Sequence, residues 1–158
     1  LVTGDLAFFY DLNALGNRHI GNNVRILLIN NAIGAEFKIS QHFCYTFRDD
    51  ADKYMAAAGH YGAKSPVLVK HFSEDLGFQY LSATNKEEFL VALETFTNPN
   101  ITDKPIILEV FTTHENENEA LRLMTSITMD SKQKVADAIR SVAGEKGIKA
   151  IKSILGRK

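Results

Sequence analysis

The sequence predicts an α/β protein, a parallel sheet with helices on both faces continued by a basic C-terminal helical extension. Two observations carry this. Strand-length apolar runs alternate with helix-periodic segments from the first residue to about residue 113, the order that yields a parallel sheet with crossover helices. The runs Val24-Arg25-Ile26-Leu27-Leu28-Ile29-Asn30 and Ile106-Ile107-Leu108-Glu109-Val110-Phe111 are almost continuously β-branched or aliphatic, the composition of strands covered on both faces.

Taken in order, residues 1–3 read as the end of a buried strand, and residues 6–16 as a helix with Leu6, Phe9, Leu12 and Leu15 at helical spacing. Gly21-Asn22-Asn23 breaks the chain before the strand over 24–30, and a long irregular segment follows it. Asp50 opens a helix to Ala58 that Gly59 ends, and Pro66 sits in the first turn of a helix reaching Leu76, closed by Gly77. Residues 78–81 form a short strand. Asn85 with Glu88 three positions on makes a capping box that starts a helix to Phe96. The next strand spans 105–112 and is followed by a helix over 115–128. Residues 131–143 and 145–155 are basic helices beyond the sheet.

The 158 residues, 45% hydrophobic and 23% charged, suffice for a core burying roughly two-thirds of the unfolded chain's surface, so neither metal nor disulfide is needed for folding. Cys44 is the single cysteine, which excludes an intramolecular disulfide and fits a reducing compartment. No run approaches the ~18 apolar residues of a membrane span, and the start lacks the pattern of a signal peptide, so a soluble cytoplasmic protein is expected. Leu1-Val2 runs straight into Gly4-Asp5 with no initiating Met, which suggests a domain excised from a longer protein. The charge is uneven: residues 1–129 hold 10 basic and 16 acidic side chains, residues 130–158 hold 8 and 3. Two regions follow, a body over 1–128 and a basic helical extension over 129–158.

In an open parallel sheet ligands sit at the carboxyl ends of strands. Gly4-Asp5 ends the first strand and Asn30-Asn31 ends the second. Asn31 follows Asp5 by 26 positions, close to the ~30 residues of a strand-helix-strand unit, so the two side chains are expected side by side. Both are hard oxygen donors. With a backbone carbonyl, water and phosphate oxygens they complete the octahedral set Mg²⁺ prefers. Gly4 permits close backbone approach, and the amides of Leu6 and Ala7 at a helix N-terminus suit a diphosphate.

These residues resemble the Gly-Asp-x … Asn-Asn signature of thiamine diphosphate (ThDP) enzymes. Within them the chain is most similar to the C-terminal, diphosphate-binding domain of the 2-succinyl-5-enolpyruvyl-6-hydroxy-3-cyclohexene-1-carboxylate synthase family of menaquinone biosynthesis. The likeness lies in Gly4-Asp5-Leu6, Tyr10-Asp11-Leu12-Asn13 with Ala14-Leu15, Leu27-Leu28-Ile29-Asn30-Asn31, and Gly34 with Phe37, and it covers residues 1 to about 113. The resemblance implies Asp5, Asn31 and the Ile33 main-chain carbonyl as Mg²⁺ ligands, with Gly4, Leu6, Ala7 and Gly34 also at the cofactor. Glu36 and Phe37 would lie on the substrate side. Where the family usually reads Gly-Gly-x-Ile-Phe, this chain has Ile33-Gly34-Ala35-Glu36-Phe37: Phe37 keeps its place, Glu36 replaces an aliphatic contact and the first Gly is absent.

The resemblance further implies a carboligase, a transferase or lyase that decarboxylates a 2-oxo acid and adds the carbanion to an acceptor, 2-oxoglutarate and isochorismate in that family. The cofactor's activating glutamate would come from a separate pyrimidine-binding domain of the opposing subunit in a homodimer or homotetramer. No catalytic residue is therefore assigned in this chain, which is expected to be inactive alone. Glu36 keeps open a paralogous ThDP-dependent decarboxylase or acetolactate-synthase-like enzyme with another substrate. A different class, a non-catalytic interaction module whose body scaffolds the basic tail, also stays open.

Other features read as structural. His19, His42, His60, His71 and His114 include no i, i+4 pair, so a helical zinc site is unsupported. Cys44 lacks a local partner that would activate it. Asp11 and Asn13 suit local hydrogen bonds. In the tail Ile148, Ile151, Ile154 and Leu155 recur at helical spacing among lysines, the pattern of a helix packing on protein, and no nucleic-acid motif accompanies the charge. Neither nucleic acid nor membrane is an expected partner.

Overall fold

The computed structural model describes residues 1–39, 42–50 and 65–128. The helix expected over 50–58 and the basic helices of the tail fall outside these, apart from Asp50, as does His60. Contacts divide the chain into a compact unit, Leu1–Glu117, and a second, Asn118–Lys158.

The first unit is built on four parallel strands, β1 (Val2–Gly4), β2 (Arg25–Asn30), β3 (Gln79–Ala83) and β4 (Ile106–Phe111), in the order β1-β2-β4-β3. The expected α/β class is therefore observed. Helix α1 (Asp5–Tyr10) joins β1 to β2, α2 (Leu68–Asp75) precedes β3, α3 (Lys86–Phe96) joins β3 to β4, and α4 (His114–Thr128) follows β4. The steps from β1 to β2 and from β2 to β3 run one way across the sheet, whereas β3 to β4 runs back. Right-handed crossovers then place α1 and α2 over one face and α3 over the other. Packing agrees: Phe8 and Leu15 from the β1–β2 crossover and Val69 from α2 bury against Ile26, Leu28 and Ile107, while α3 lies on β3 and β4.

Register fixes what shares a face. Ile26 pairs with Ile107 and Leu28 with Glu109, and Tyr80 pairs with Ile107, so Leu28, Asn30, Glu109 and Tyr80 project to the α1–α2 side. Ile106, Ile107 and Leu108 are inaccessible to solvent, as the aliphatic composition of β4 predicts.

Three expectations are corrected. The helix over 6–16 divides: α1 stops at Asp11 (φ −124°, ψ 38°) and Leu12–Gly16 forms a 3₁₀ turn. The strict spacing of three between Leu6, Phe9, Leu12 and Leu15 matches the 3₁₀ period better than 3.6, and the deepest anchor of α1 is Phe8, outside that stripe. β1 pairs only with β2 among the described strands, so Leu1 and Val2 are exposed rather than buried. Pro66 precedes α2, which begins at Leu68.

The punctuation holds. Gly77 (φ 85°) takes the left-handed position after α2, where its N–H reaches the Glu74 carbonyl at 3.0 Å. Asn85 caps α3 by accepting the Glu88 N–H at 2.9 Å, while the Glu88 carboxylate reaches one residue further back than a capping box requires, to the Thr84 N–H at 2.8 Å. The segment after β2 holds two 3₁₀ stretches, Ala35–Lys38 and Phe43–Asp50.

Candidate functional site

Adjacent parallel pairing brings the two motif ends together. Gly4 is in register with Ile29, so Asp5 and the Asn30-Asn31 pair leave the sheet at the same level. A cavity of about 490 Å³ opens there, at the carboxyl ends of β1 and β2. Its wall includes Gly4, Asp5, Leu6, Ala7, Asn31, Ile33 and Glu36 from the expected set, joined by Tyr10, Ile29, Ala35 and Glu117. Gly34 and Phe37 are not on that wall. Gly34 starts the Ala35–Lys38 turn by accepting the Phe37 N–H at 3.2 Å, and Phe37 packs edge-on against His42 with ring centroids 5.1 Å apart.

Gly4 has a backbone (φ −83°, ψ 162°) that any residue adopts, and a Cβ built on it meets no atom within 4 Å. Neither conformation nor packing within the chain demands glycine here; what a side chain would fill is space beside the cavity. Asp5 is 3% exposed, and its Oδ1 accepts the Leu6 N–H at 2.8 Å, so the Leu6 amide already answers a carboxylate.

Two consecutive asparagine turns shape the end of β2. Asn30 Oδ1 accepts the Ala32 N–H at 3.0 Å, and Asn31 Oδ1 accepts the Ile33 N–H at 2.9 Å. Between them Ala32 sits at φ 65°, a left-handed conformation costing a non-glycine residue about 1 kcal/mol. The paired side-chain acceptors hold that bend and bring Ile33 to the cavity wall.

Each asparagine is in turn held by a glutamate that sequence reasoning did not single out. Glu109, 1% exposed on β4, accepts the Asn30 Nδ2–H at Oε1 and the Tyr80 hydroxyl at Oε2, both at 2.6 Å. Burial pushes its carboxyl above the usual range, and the two hydrogen bonds only partly oppose this. Burial and the adjacent carboxylate together drive the Tyr80 phenol well above its ordinary value. Glu117, in the first turn of α4, accepts the Asn31 Nδ2–H at Oε2 and the Thr112 hydroxyl at Oε1. A lone charged residue inside the apolar run of β4 was a legible signal for Glu109. Glu117 had none, because its role depends on the first turn after β4 lying beside the end of β2.

The described wall carries the carboxyls of Asp5, Glu36 and Glu117 and no basic side chain. Such a wall attracts a cation and would hold an anion through one. Among the described residues no cluster of three or more His, Cys, Asp or Glu forms a metal site; a cation at this wall would have to take mixed donors, carboxylate, amide oxygen and main-chain carbonyl. That hard-oxygen set, with the open space beside Gly4, fits Mg²⁺ and a diphosphate. Cys44 is half-buried, and its N–H donates to His42 Nδ1 at 3.1 Å. No helix among the described residues is long and apolar enough to cross a membrane.

No protein-family model matches the chain. Curated proteins do. The chain is 38% identical over 122 residues to the 2-succinyl-5-enolpyruvyl-6-hydroxy-3-cyclohexene-1-carboxylate synthase of Phocaeicola vulgatus, an alignment covering 77% of this chain and 20% of that protein. The synthase of the same name from Bacteroides fragilis is 36% identical over 124 residues, 78% of this chain and 20% of the relative. That of Bacteroides thetaiotaomicron is 35% identical over 134 residues, 85% and 22%. The resemblance drawn from the Gly-Asp and Asn-Asn motifs thus extends over most of the chain, and these synthases are its homologues. The chain spans about a fifth of their length.

Proposed function

We propose that this chain forms the Mg²⁺- and diphosphate-binding part of a ThDP-dependent carboligase of the 2-succinyl-5-enolpyruvyl-6-hydroxy-3-cyclohexene-1-carboxylate synthase type. The observation that carries the reading is the meeting of Gly4, Asp5 and Asn31 at one acidic cavity at the strand ends, in a chain homologous to these synthases. Asp5, the Asn31 amide oxygen and the Ile33 carbonyl would hold Mg²⁺, and the cation would bridge the wall to the diphosphate. Of the two first-turn amides, Ala7 is the stronger candidate donor to the diphosphate, because the Leu6 N–H is taken by Asp5. When bound, ThDP supplies the electron sink for decarboxylating a 2-oxo acid and joining the remaining fragment to an acceptor.

On this reading the full protein works in the cytoplasm as a homodimer or homotetramer on 2-oxoglutarate and isochorismate. The glutamate that activates the cofactor comes from a pyrimidine-binding domain of the opposing subunit. Glu36 on the cavity wall supports a second reading, a paralogous ThDP-dependent decarboxylase or acetolactate-synthase-like enzyme with another substrate, since a carboxylate stands where these synthases usually have an aliphatic side chain. Calorimetric titration of the natural-length protein with Mg²⁺ and ThDP tests the site. Asp5→Ala is expected to weaken cofactor binding by at least about 100-fold, as loss of a metal ligand should exceed the 10–100-fold typical of outer residues. Unchanged affinity would sink the assignment. Turnover of 2-oxoglutarate with and without isochorismate separates the two substrate readings.

A further inference from the structure

We infer that Glu117 is a positioning residue for the cation site: by accepting the Asn31 Nδ2–H it fixes which end of that amide is offered as oxygen. The inference rests on the proposed Mg²⁺ reading for its consequence, though not for its geometry. An asparagine amide is nearly symmetric in shape, and rotation by 180° exchanges an acceptor for a donor. A cation accepts only the oxygen. Two contacts select the orientation here. The Ile33 N–H requires an acceptor at 2.9 Å, and the Glu117 carboxylate, an acceptor, requires a donor. Oδ1 has two lone pairs, and the Ile33 N–H uses one, which leaves the second for a cation.

Glu117 is itself fixed to the sheet. Its other oxygen accepts the Thr112 hydroxyl, and the Thr112 N–H donates to the Asn30 carbonyl at 2.9 Å. The orientation of Asn31 is thereby referred back to the β2–β4 ladder rather than to a side chain moving by itself. Glu109 repeats the arrangement one residue earlier, with Asn30 Nδ2–H on the carboxylate and Asn30 Oδ1 on the Ala32 N–H. Two carboxylates, one beneath the sheet end and one from α4, thus give both asparagines the same polarity.

The test exchanges donor and acceptor in the natural-length protein. Mn²⁺ affinity in the presence of ThDP is read by electron paramagnetic resonance, and amide exchange at Ile33 is read without ligand, with Leu28 and Leu108 as internal controls. Glu117→Ala should weaken Mn²⁺ binding about tenfold or more and speed Ile33 exchange while Leu28 and Leu108 stay protected. Asn31→Asp should weaken binding too, because two carboxylates then face each other without a donor. Combining Asn31→Asp with Glu117→Gln should restore affinity to within a few-fold, since the bond is remade with its polarity reversed and an oxygen still offered. Wild-type behaviour of Glu117→Ala in both readouts, or a double variant no better than Asn31→Asp alone, would overturn the inference. Failure of the wild type to bind Mn²⁺ with ThDP would instead overturn the cofactor reading, leaving Ile33 exchange to decide the role of Glu117.

Discussion

Replacing Tyr80 by Phe removes one atom from the most buried polar cluster of the sheet and leaves its shape almost unchanged. That hydroxyl is 2.6 Å from Glu109 Oε2, and Glu109 is 1% exposed, so the variant strips a donor from a buried carboxyl. Hydrogen bonds to charged groups contribute roughly 1.5–3 kcal/mol, so Tyr80→Phe should lower stability at neutral pH by about 2 kcal/mol, some 30-fold in the unfolding constant. The penalty should depend on pH with a definite sign. The folded Glu109 carboxyl lies above its ordinary value of 4.5, so its share of stability is complete below that value and is lost as pH rises through the raised folded one. The Tyr80 hydrogen bond opposes that loss by favouring the carboxylate. Its removal should therefore cost little while the folded Glu109 carboxyl is protonated and progressively more as pH rises through its raised folded value. Urea unfolding followed by far-ultraviolet circular dichroism at acid and neutral pH, at constant m, measures this. A cost under about 0.5 kcal/mol at neutral pH, or one independent of pH, would refute the view that Glu109 is a carboxylate dependent on Tyr80.

Gly4→Ala should leave stability within about 0.5 kcal/mol, since the backbone suits alanine and the new methyl meets no protein atom within 4 Å. Calorimetry with Mg²⁺ and ThDP should nonetheless show at least a tenfold loss, about 1.4 kcal/mol, because the methyl enters space the cofactor is proposed to use. Ala32→Gly should raise stability by about 0.5 kcal/mol in thermal or urea unfolding, as relief of the left-handed strain at φ 65° exceeds glycine's extra entropy in the unfolded chain. A destabilised Ala32→Gly variant would mean that the paired asparagine turns hold Ala32 without strain.

Much of the fold was legible because its determinants are local. The apolar runs of β2 and β4, the Asn85 cap and Gly77 each act within a few residues, and all four lie where expected. Prediction slipped where a neighbour decides the outcome. A spacing of three in residues 6–16 fits either an α-helix or an α-turn running into 3₁₀, and contact of Phe8 and Leu15 with Ile26 and Leu28 selected the latter. Val2 looked like a core residue because composition cannot distinguish an edge strand from a central one. At the site, Gly4, Asp5 and Asn31 were legible because β1 and β2 follow one another and pair directly. The cluster around Glu109 was not, since that carboxylate meets Asn30 and Tyr80 only because β4 inserts between β2 and β3.

By itself the sequence determined which segments of the body form the strands, that helices join them, and which hard oxygen donors end β1 and β2. Tertiary structure alone decided how those donors are aimed. The orientation of each amide depends on which distant carboxylate completes its hydrogen bonds, and the upward shift of Glu109 depends on its burial. That carboxylate is chosen by strand order and by the first turn of α4 after β4, 79 residues along the chain for Asn30 and Glu109 and 86 for Asn31 and Glu117.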